Sequence, residues 1–472
     1  MHELTRGHDA VRRECVYGVG VPSILWFRRD LRLLDHPALL AAVESARTDL
    51  DGKVVPLFVI DPVLWESAGA VRQNYLVAAL RALDESLHGN LLIKHGDPRT
   101  VVPEVVAAAG AKSVHISADF GPYGQARDES VESALSVPLV RTGSPYAVAP
   151  GRVNKDDGTA YRVYTPFYRA WMRHGWRAPA EDAPTDVDWW MPMECDGFPT
   201  PADLGDITLP PAGEKAAWER WEIFRSQSLT DYDDLRNRAD LDGTSVLGHH
   251  LKYGEIHPRS LLAELSDADE VYRKEICWRE FYADVLFRHP SSAHTSLDAR
   301  FDDQMRWATG PETEAHFDAW LTGRTGFPFV DAGMRQLLAE GWMHNRVRMV
   351  VASFLIKDLH IPWQRGAAHF MNLLRDGDLA SNAHGWQWTA GSGTDASPFY
   401  RVFNPITQGL KFDPDGSYVR KYIPELSHLA GKSAHEPWLC PEGYSAGYPH
   451  PIVDHKAERE VALADYAAIK RS

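Results

Sequence analysis

Long apolar runs are missing from these 472 residues. No window approaches the ~20 uninterrupted apolar residues of a membrane-spanning helix, which argues against a helical membrane protein. Residues Met1 to Pro22 carry mixed charges and no apolar stretch of the signal-peptide kind, so the sequence predicts a disordered tail and a cytoplasmic protein. Cysteine is scarce and scattered: Cys15, Cys195, Cys277 and Cys440 show no paired spacing, against a disulfide framework, a zinc site or an iron–sulfur cluster. No Gly-x-Gly-x-x-Gly follows the first predicted strand, which weakens a dehydrogenase reading. Internal repeats and low-complexity tracts are absent. A basic excess is missing too, since 65 acidic residues outnumber 50 basic ones for a net charge of −15. That balance disfavours a broadly electrostatic grip on nucleic acid. It does not veto one, because Arg335, Arg346, Arg348, Arg401, Lys411, Arg420 and Lys421 fall within one third of the chain. Few phosphate contacts and an affinity leaning on the base are predicted; the alternative for these residues is a solvated helix face.

What is present divides into three. From Ser23 to about Ala147, β-rich runs such as Ile24-Leu25-Trp26-Phe27 and Val54 to Ile60 alternate with Ala/Leu-rich helical patterns around 37–46, 71–87 and 101–109. Further strands are expected at Leu91-Leu92-Ile93 and Ser113 to Ile116, so the fold class is α/β, a doubly wound parallel sheet with helices on both faces. Residues 148–213, rich in Pro, Gly and Asp, read as an interdomain connector holding one helix near Pro166 to Trp176. Residues 214–472 are helical almost throughout and are expected to form an all-α domain.

The stretch Asp376-Gly377-Asp378-Leu379-Ala380-Ser381-Asn382-Ala383-His384-Gly385-Trp386-Gln387-Trp388 gathers two acids, an amide and two indoles in thirteen residues. Such a set suits a flat, polar-edged ligand, whether a flavin, a nucleobase or both; the bland alternative is a Trp-rich core beside an acidic turn. The following run, Ser397 to Pro405, reads as an ordered loop. A helix over about 272–289 puts Glu275, Trp278 and Tyr282 on one side, and a helix starting at Asn345 pairs Asn345 with Met349, Arg348 adjacent. Taken alone, each face is equally an ordinary packing surface.

Four segments carry a resemblance: Leu25 to Arg32, Trp278-Arg279-Glu280-Phe281-Tyr282, Gly341 to Arg346, and Asp376 to Trp388. Together they resemble the photolyase/cryptochrome family, more narrowly the class I cyclobutane pyrimidine dimer photolyases, from about Ser23 to near the C-terminus. The resemblance implies a non-covalent FAD in the helical domain, with Tyr232, the turn Thr244-Ser245-Val246-Leu247-Gly248 and Tyr272 among its contacts. Many relatives carry Arg where Val246 stands and Ser where Gly248 stands. It further implies that Arg348 and Asp376 sit beside the isoalloxazine, that Asp376, Gly377 and Asp378 line its flavin and ribose side, and that Asn382 faces flavin N5. Glu275 would hydrogen-bond a flipped-out pyrimidine dimer, Trp278 and Trp388 would wall it, and Tyr282, Asn345 and Met349 would complete the pocket. Arg236, Arg346 and Gln408 match positions facing the DNA backbone, and Trp386, Trp363 and Trp307 match a tryptophan triad running from flavin to surface.

The activity so implied is that of a carbon–carbon lyase repairing UV-damaged double-stranded DNA as a monomer, by light-driven electron transfer from reduced FAD to the lesion. Asn where a (6-4) photolyase carries its second pocket histidine favours the cyclobutane dimer as that lesion. The segment Asp119 to Gly124 resembles relatives with an 8-hydroxy-5-deazaflavin antenna, while Ala293-His294 stands where folate-type relatives place Cys-Lys; methenyltetrahydrofolate or an empty site is the alternative. A cryptochrome that senses blue light without repair is the competing function, and a flavoprotein selective for single-stranded lesions a third.

Overall fold

The computed structural model describes residues 21–48, 52–182, 185–395 and 400–471. The tail expected to be disordered lies outside these residues up to residue 20, as do Ser397 to Phe399 of the expected ordered loop. Strands β1 (Ser23–Phe27), β2 (Lys53–Ile60), β3 (Leu92–His95), β4 (Val114–Ile116), β5 (Leu139–Arg141) and β6 (Asp188–Trp189) form one sheet. Its order is β3-β2-β1-β4-β5, with β6 beside β2. Every pairing is parallel. Helices α1 (Pro37–Thr48), α2 (Pro62–Ser67), α3 (Ala70–Ser86), α4 (Pro98–Ala109) and α5 (Pro122–Ala134) connect the strands. Alternate side chains of β1 enter two cores, Leu25 and Phe27 on the α1/α3 side and Ile24 and Trp26 on the α4/α5 side. Asp61 and Asp97 cap α2 and α4, accepting from Val63 N and Arg99 N with proline at the next position.

Besides the short α2, two regions depart from the expectation. The connector holds not only α6 (Tyr164–His174) but also β6, which pairs Lys53 with Asp188 and Val54 with Trp189. Two residues carry too little periodicity to read as a strand. Its placement explains Pro56 within the otherwise buried β2: β6 covers positions 53–54 and β3 covers 57–60, so Pro56 falls in the gap between them. A missing N–H costs no ladder bond on that edge. The second departure is α5 with β5, absent from the expected βαβ series because Pro122 to Ala134 mixes charge and small residues rather than showing an apolar stripe.

Helices α7 (Glu214–Gln227), α8 (Tyr232–Leu235), α9 (Gly248–Tyr253), α10 (Pro258–Ala263), α11 (Glu270–Arg288), α12 (Arg300–Asp303), α13 (Pro311–Leu321), α14 (Pro328–Glu340), α15 (Asn345–Lys357), α16 (Trp363–Leu373), α17 (Leu379–Ala390), α18 (Pro405–Phe412), α19 (Ser417–Tyr422) and α20 (His455–Arg471) build the second half. One core joins α6, α7, α10 and α11, and a larger one joins α13 to α19. Among the described residues no helix is long and apolar enough to cross a membrane.

Buried polar contacts dock the halves. Asp35, 3% exposed, accepts from Arg259 NH2 (2.5 Å), Ser260 Oγ (3.0 Å) and Ala180 N (2.7 Å). Glu214 accepts from Leu33 N and Leu34 N, both at 2.9 Å, and Glu255 accepts from Tyr75 OH (2.8 Å) and Gly213 N (2.7 Å). Gly254 ends α9 in the left-handed region at φ +72, and a Cβ there would lie 2.0 Å from Arg29 O. Only glycine lets the two chains approach this closely. Truncating Asp35 strands Arg259 in a dry interface, so Asp35→Ala is expected to cost about 3–5 kcal/mol in denaturant unfolding; a loss under about 1 kcal/mol would contradict the latch.

Candidate active site at the domain interface

A cavity of about 750 Å³ opens where the C-terminal ends of β1, β2 and β4 meet α9, α16 and α17. In a sheet of this order the chain leaves β1 to one side and β4 to the other, which creates the crevice in which open α/β sheets bind ligands. Trp26, Phe58, Asp61, Phe120 and Tyr123 line the sheet side; Lys252, Ala367, Asp378, Asn382 and Ala383 line the helical side. Ala293 and His294 border the same space.

Helix α17 delivers the most concentrated part of the sequence motif. Asp378 caps it, accepting from Ser381 N at 3.0 Å, and pairs with Arg29 NH2 at 2.9 Å. Burial alone would raise the Asp378 carboxyl; Arg29, Arg279, the Ser381 N–H and Lys252 outweigh it and hold the group at about 2. One turn further, Asn382 donates from Nδ2 to Ala367 O at 3.0 Å. That donor can only be the amide nitrogen, so the Oδ1 acceptor is the end left for a ligand. Asp376 receives Arg348 NH2 on both oxygens, at 3.1 and 2.8 Å, and Arg348 Nε is fixed on Met343 O at 2.7 Å. A Cβ on Gly248 would stand 3.0 Å from Asp376 Oδ2, so the residue that departs from the family pattern packs directly on this acid.

A second group gathers on α8, α11 and α15. Arg236 and Glu275 form an ion pair at 2.6 Å, and Arg346 donates twice to Asn237 Oδ1 at 3.0 and 2.6 Å. Burial raises the Glu275 carboxyl, with Arg236 and then Arg346 pulling against it. Tyr232 and Tyr272 meet edge to face at 5.3 Å, with Arg236 over Tyr232 at 5.6 Å. The turn at 244–247 is held from behind: Arg220, clamped by Asp242 at 3.0 and 2.7 Å, donates to Thr244 O (2.6 Å) and Ser245 O (2.8 Å). Val246 has φ +52, a strained conformation for a β-branched residue. Helix α9, which follows the turn, is only six residues long, and Leu247 gives it no side-chain cap. Ser245 Oγ instead receives Leu247 N at 3.4 Å.

The indoles divide by their position on helices. Trp386 is buried against Phe370 (5.0 Å) and Trp320 (6.2 Å) and lies where a Cβ on Gly366 would strike its ring. Trp363, three residues before Gly366, borders the cavity and donates from Nε1 to Ser296 Oγ at 3.0 Å. Trp307 is half-buried, and its neighbour Ala308 is tied to His360 O at 2.9 Å, three residues before Trp363. Trp388 points elsewhere, bounding a small hollow with Lys357, Tyr400, Arg401, Phe403 and Tyr466. Trp278 stacks on Tyr164 at 3.6 Å and 7°, so one of its faces is already covered, and Tyr282 stacks on His384 at 5.6 Å. Asn345 is exposed, while Met349 and Gln408 are half-buried.

Several residues at the site escaped the sequence reading. Arg220, Arg29, Tyr164 and Lys252 are remote in sequence from the groups they support, and no local pattern marks them. The basic set proves less free than its sequence clustering suggested: Arg335, Arg348 and Lys421 pair with Glu425, Asp376 and Glu340. Arg401 and Lys411 remain exposed. Among the described residues no group of three His, Cys, Asp or Glu could hold a metal ion.

Residues 23–185 match the family described as DNA photolyase, and residues 272–468 match the FAD binding domain of DNA photolyase. The chain belongs to the DNA photolyase family. The deoxyribodipyrimidine photo-lyase of Agrobacterium fabrum is 40% identical over 96% of this chain and 98% of its own length. The crystal structure of a bacterial class III photolyase from Agrobacterium tumefaciens superposes with a TM-score of 0.83 at 38% identity, covering 96% of this chain and 98% of that one. A cryptochrome from Synechocystis superposes with a TM-score of 0.82 at 27% identity, covering 94% and 99%.

The Asp378 carboxyl, depressed in the folded protein, contributes stability that is present above the ordinary value of 3.8 and lost as pH falls through about 2. Asp378→Asn keeps the helix cap but loses the Arg29 pair. At pH 7 it is expected to unfold about 2 kcal/mol more easily, with the difference from wild type vanishing below about pH 2 in pH-resolved unfolding curves.

Proposed function

We propose that this protein repairs cyclobutane pyrimidine dimers in double-stranded DNA under blue or near-ultraviolet light, with FAD held in the helical domain where Asp378 and Asn382 border the interdomain cavity. The observation that carries the reading is Asn382, whose amide is turned so that an acceptor faces the cavity. An acceptor suits the N–H that a flavin ring carries when reduced, and it adds no negative charge beside an electron-rich ring. The apolar helical side of the cavity at Ala367, Met371 and Ala383 fits the same cofactor, while the turn at 244–247 and the Arg348–Asp376 pair stand outside the cavity lining. Reduced FAD, when bound, supplies the photo-excitable electron that opens the cyclobutane ring and takes it back afterwards.

The chain's own groups do the rest. Arg348 and Asp376 orient each other beside the ring. Tyr232, Tyr272 and the turn Thr244 to Gly248 hold the phosphate side, and Asp376 to Asp378 face flavin and ribose. Glu275, released from Arg236 when DNA arrives, hydrogen-bonds the lesion and stabilises the charge that develops on it. Arg236, Arg346 and Gln408 then face phosphates. Trp278, backed by Tyr164, and Trp388 wall the extruded dimer, with Tyr282, Asn345 and Met349 completing the pocket. Trp386, Trp363 and Trp307 form an oxidisable series from the cavity wall outward. The domain division at about 147 and 213, action as a monomer and a cytoplasmic location belong to this reading.

For the sheet end of the cavity we infer an 8-hydroxy-5-deazaflavin antenna. Trp26, Phe58, Trp65 and Phe120 offer flat walls, and Asp61, Asp119 and Lys252 offer polar ends. Extraction and chromatography of the bound chromophores tests it; folate or a single flavin overturns the antenna alone.

Light-dependent loss of dimers from an irradiated duplex is the decisive assay. Repair in light and none in darkness is expected; binding without repair leaves the photoreceptor reading, and repair of single strands only leaves the third. Asn382→Asp is expected to lose the reduced flavin faster in air, followed by absorbance. Glu275→Ala is expected to lower splitting by the equivalent of about 1–3 kcal/mol. Unchanged behaviour of both variants would refute these two roles.

A further inference from the structure

Lys357 is 2% exposed, an extreme for a side chain that is almost never fully buried without a partner. It closes α15, and its ammonium donates to Arg401 O while lying 4.1 Å from the centre of the Tyr400 ring. Burial pulls its pKa down to about 7, with Asp358 opposing; Asp358 itself is engaged by His455 of α20. No carboxylate pairs with Lys357 among the described residues, so the cation is spent on one backbone carbonyl and one ring.

Everything around that carbonyl is arranged to keep it still. Tyr400 stacks on Tyr466 of α20 at 4.2 Å and 11°. Its ring edge lies where a Cβ on Gly391 would come within 3.2 Å, so the glycine that ends α17 makes room for it. Two residues on, Phe403 N donates to Ser353 Oγ at 3.3 Å, one turn before Lys357 on α15. The same hollow is bounded by Trp388, and Arg401 itself is exposed. Helix α15 thus carries Asn345, Arg346 and Met349 at its start and holds the Arg401 segment at its end. Twelve residues separate the two ends, ~18 Å of helix.

We propose that Lys357 is a positioning residue for bound DNA: by fixing the Tyr400–Arg401 segment on α15 it holds the exposed Arg401 at the hollow bounded by Trp388, for a contact to a DNA phosphate. The proposal rests on the repair reading above. Arg401 gains a charge-assisted phosphate contact whose geometry is prepaid by a buried clamp, and Lys357 touches neither lesion nor cofactor.

Two variants test it on the FAD-loaded protein, Lys357→Met and Tyr466→Ala, the second removing the ring that stacks on Tyr400 and also meets Phe301. Binding to a dimer-containing duplex and to its undamaged counterpart is followed by fluorescence anisotropy at several salt concentrations, and dimer splitting is measured with all DNA bound. Both variants are expected to retain FAD and to weaken binding of both duplexes about tenfold, because a phosphate contact is sequence-independent. The slope of log affinity against log salt should fall by about one phosphate, with splitting in the saturated complex within twofold of wild type. Unchanged affinity and salt slope in a FAD-loaded variant overturn the proposal, as does a loss of splitting without a loss of affinity. A wild-type protein that does not prefer the damaged duplex would refute the repair reading instead.

Discussion

The ion pair between Arg29 and Asp378 joins the two halves at the point where the cavity begins. Arg29 leaves the end of β1, and Asp378 opens α17, so one contact ties the sheet's C-terminal edge to the helix that carries Asn382 and Trp386. Burial by itself would push the Asp378 carboxyl up, and Arg29 leads the groups that reverse the direction, with Arg279, the Ser381 N–H and Lys252. The pair is therefore a condition for packing a charge there. Asp35 with Arg259, and Glu255 with Tyr75, repeat the arrangement deeper in the interface. Each anchors a group from one half in a dry site furnished by the other, which leaves the halves little freedom to slide.

Helix geometry then apportions the site. Asp378, Asn382 and Trp386 stand four residues apart and share one side of α17, while Trp388, two residues on, turns toward a different hollow. Helix α11 works on both sides. Glu275 pairs with Arg236 and Trp278 stacks on Tyr164 on one side; on the other Glu280 accepts from Ala147 N, Val148 N (3.0 Å) and Trp171 Nε1 (2.7 Å), and Asp284 accepts from Gly151 N at 2.7 Å. The start of the connector is thereby pinned to the helix that carries Glu275 and Trp278, and Tyr164 of the same connector stacks on Trp278.

Charge follows a similar economy. The net charge is −15, and several cations are engaged inside the protein. Arg220 braces a turn, Arg348 holds an acid, and Lys357 holds a carbonyl. Arg401, the exposed cation in the hollow that Trp388 bounds, therefore matters individually.

Much of this was legible in the chain. The alternation of β runs with Ala/Leu helices specified β1 to β4 and their helices, since local periodicity is what such elements are made of, and the thirteen residues from Asp376 to Trp388 marked the inner end of the cavity because their chemistry is contiguous in sequence. Pairings between remote residues were not legible. A two-residue strand such as β6 acquires its identity only from the edge of β2 that it completes, and the Arg29–Asp378 pair, the Arg236–Glu275 pair and the Tyr164–Trp278 stack each join segments with no local signal of one another. Composition and period set which side chains were available; long-range packing alone decided which of them meet, because burial makes a charge or a ring face demand a partner wherever in the chain that partner lies.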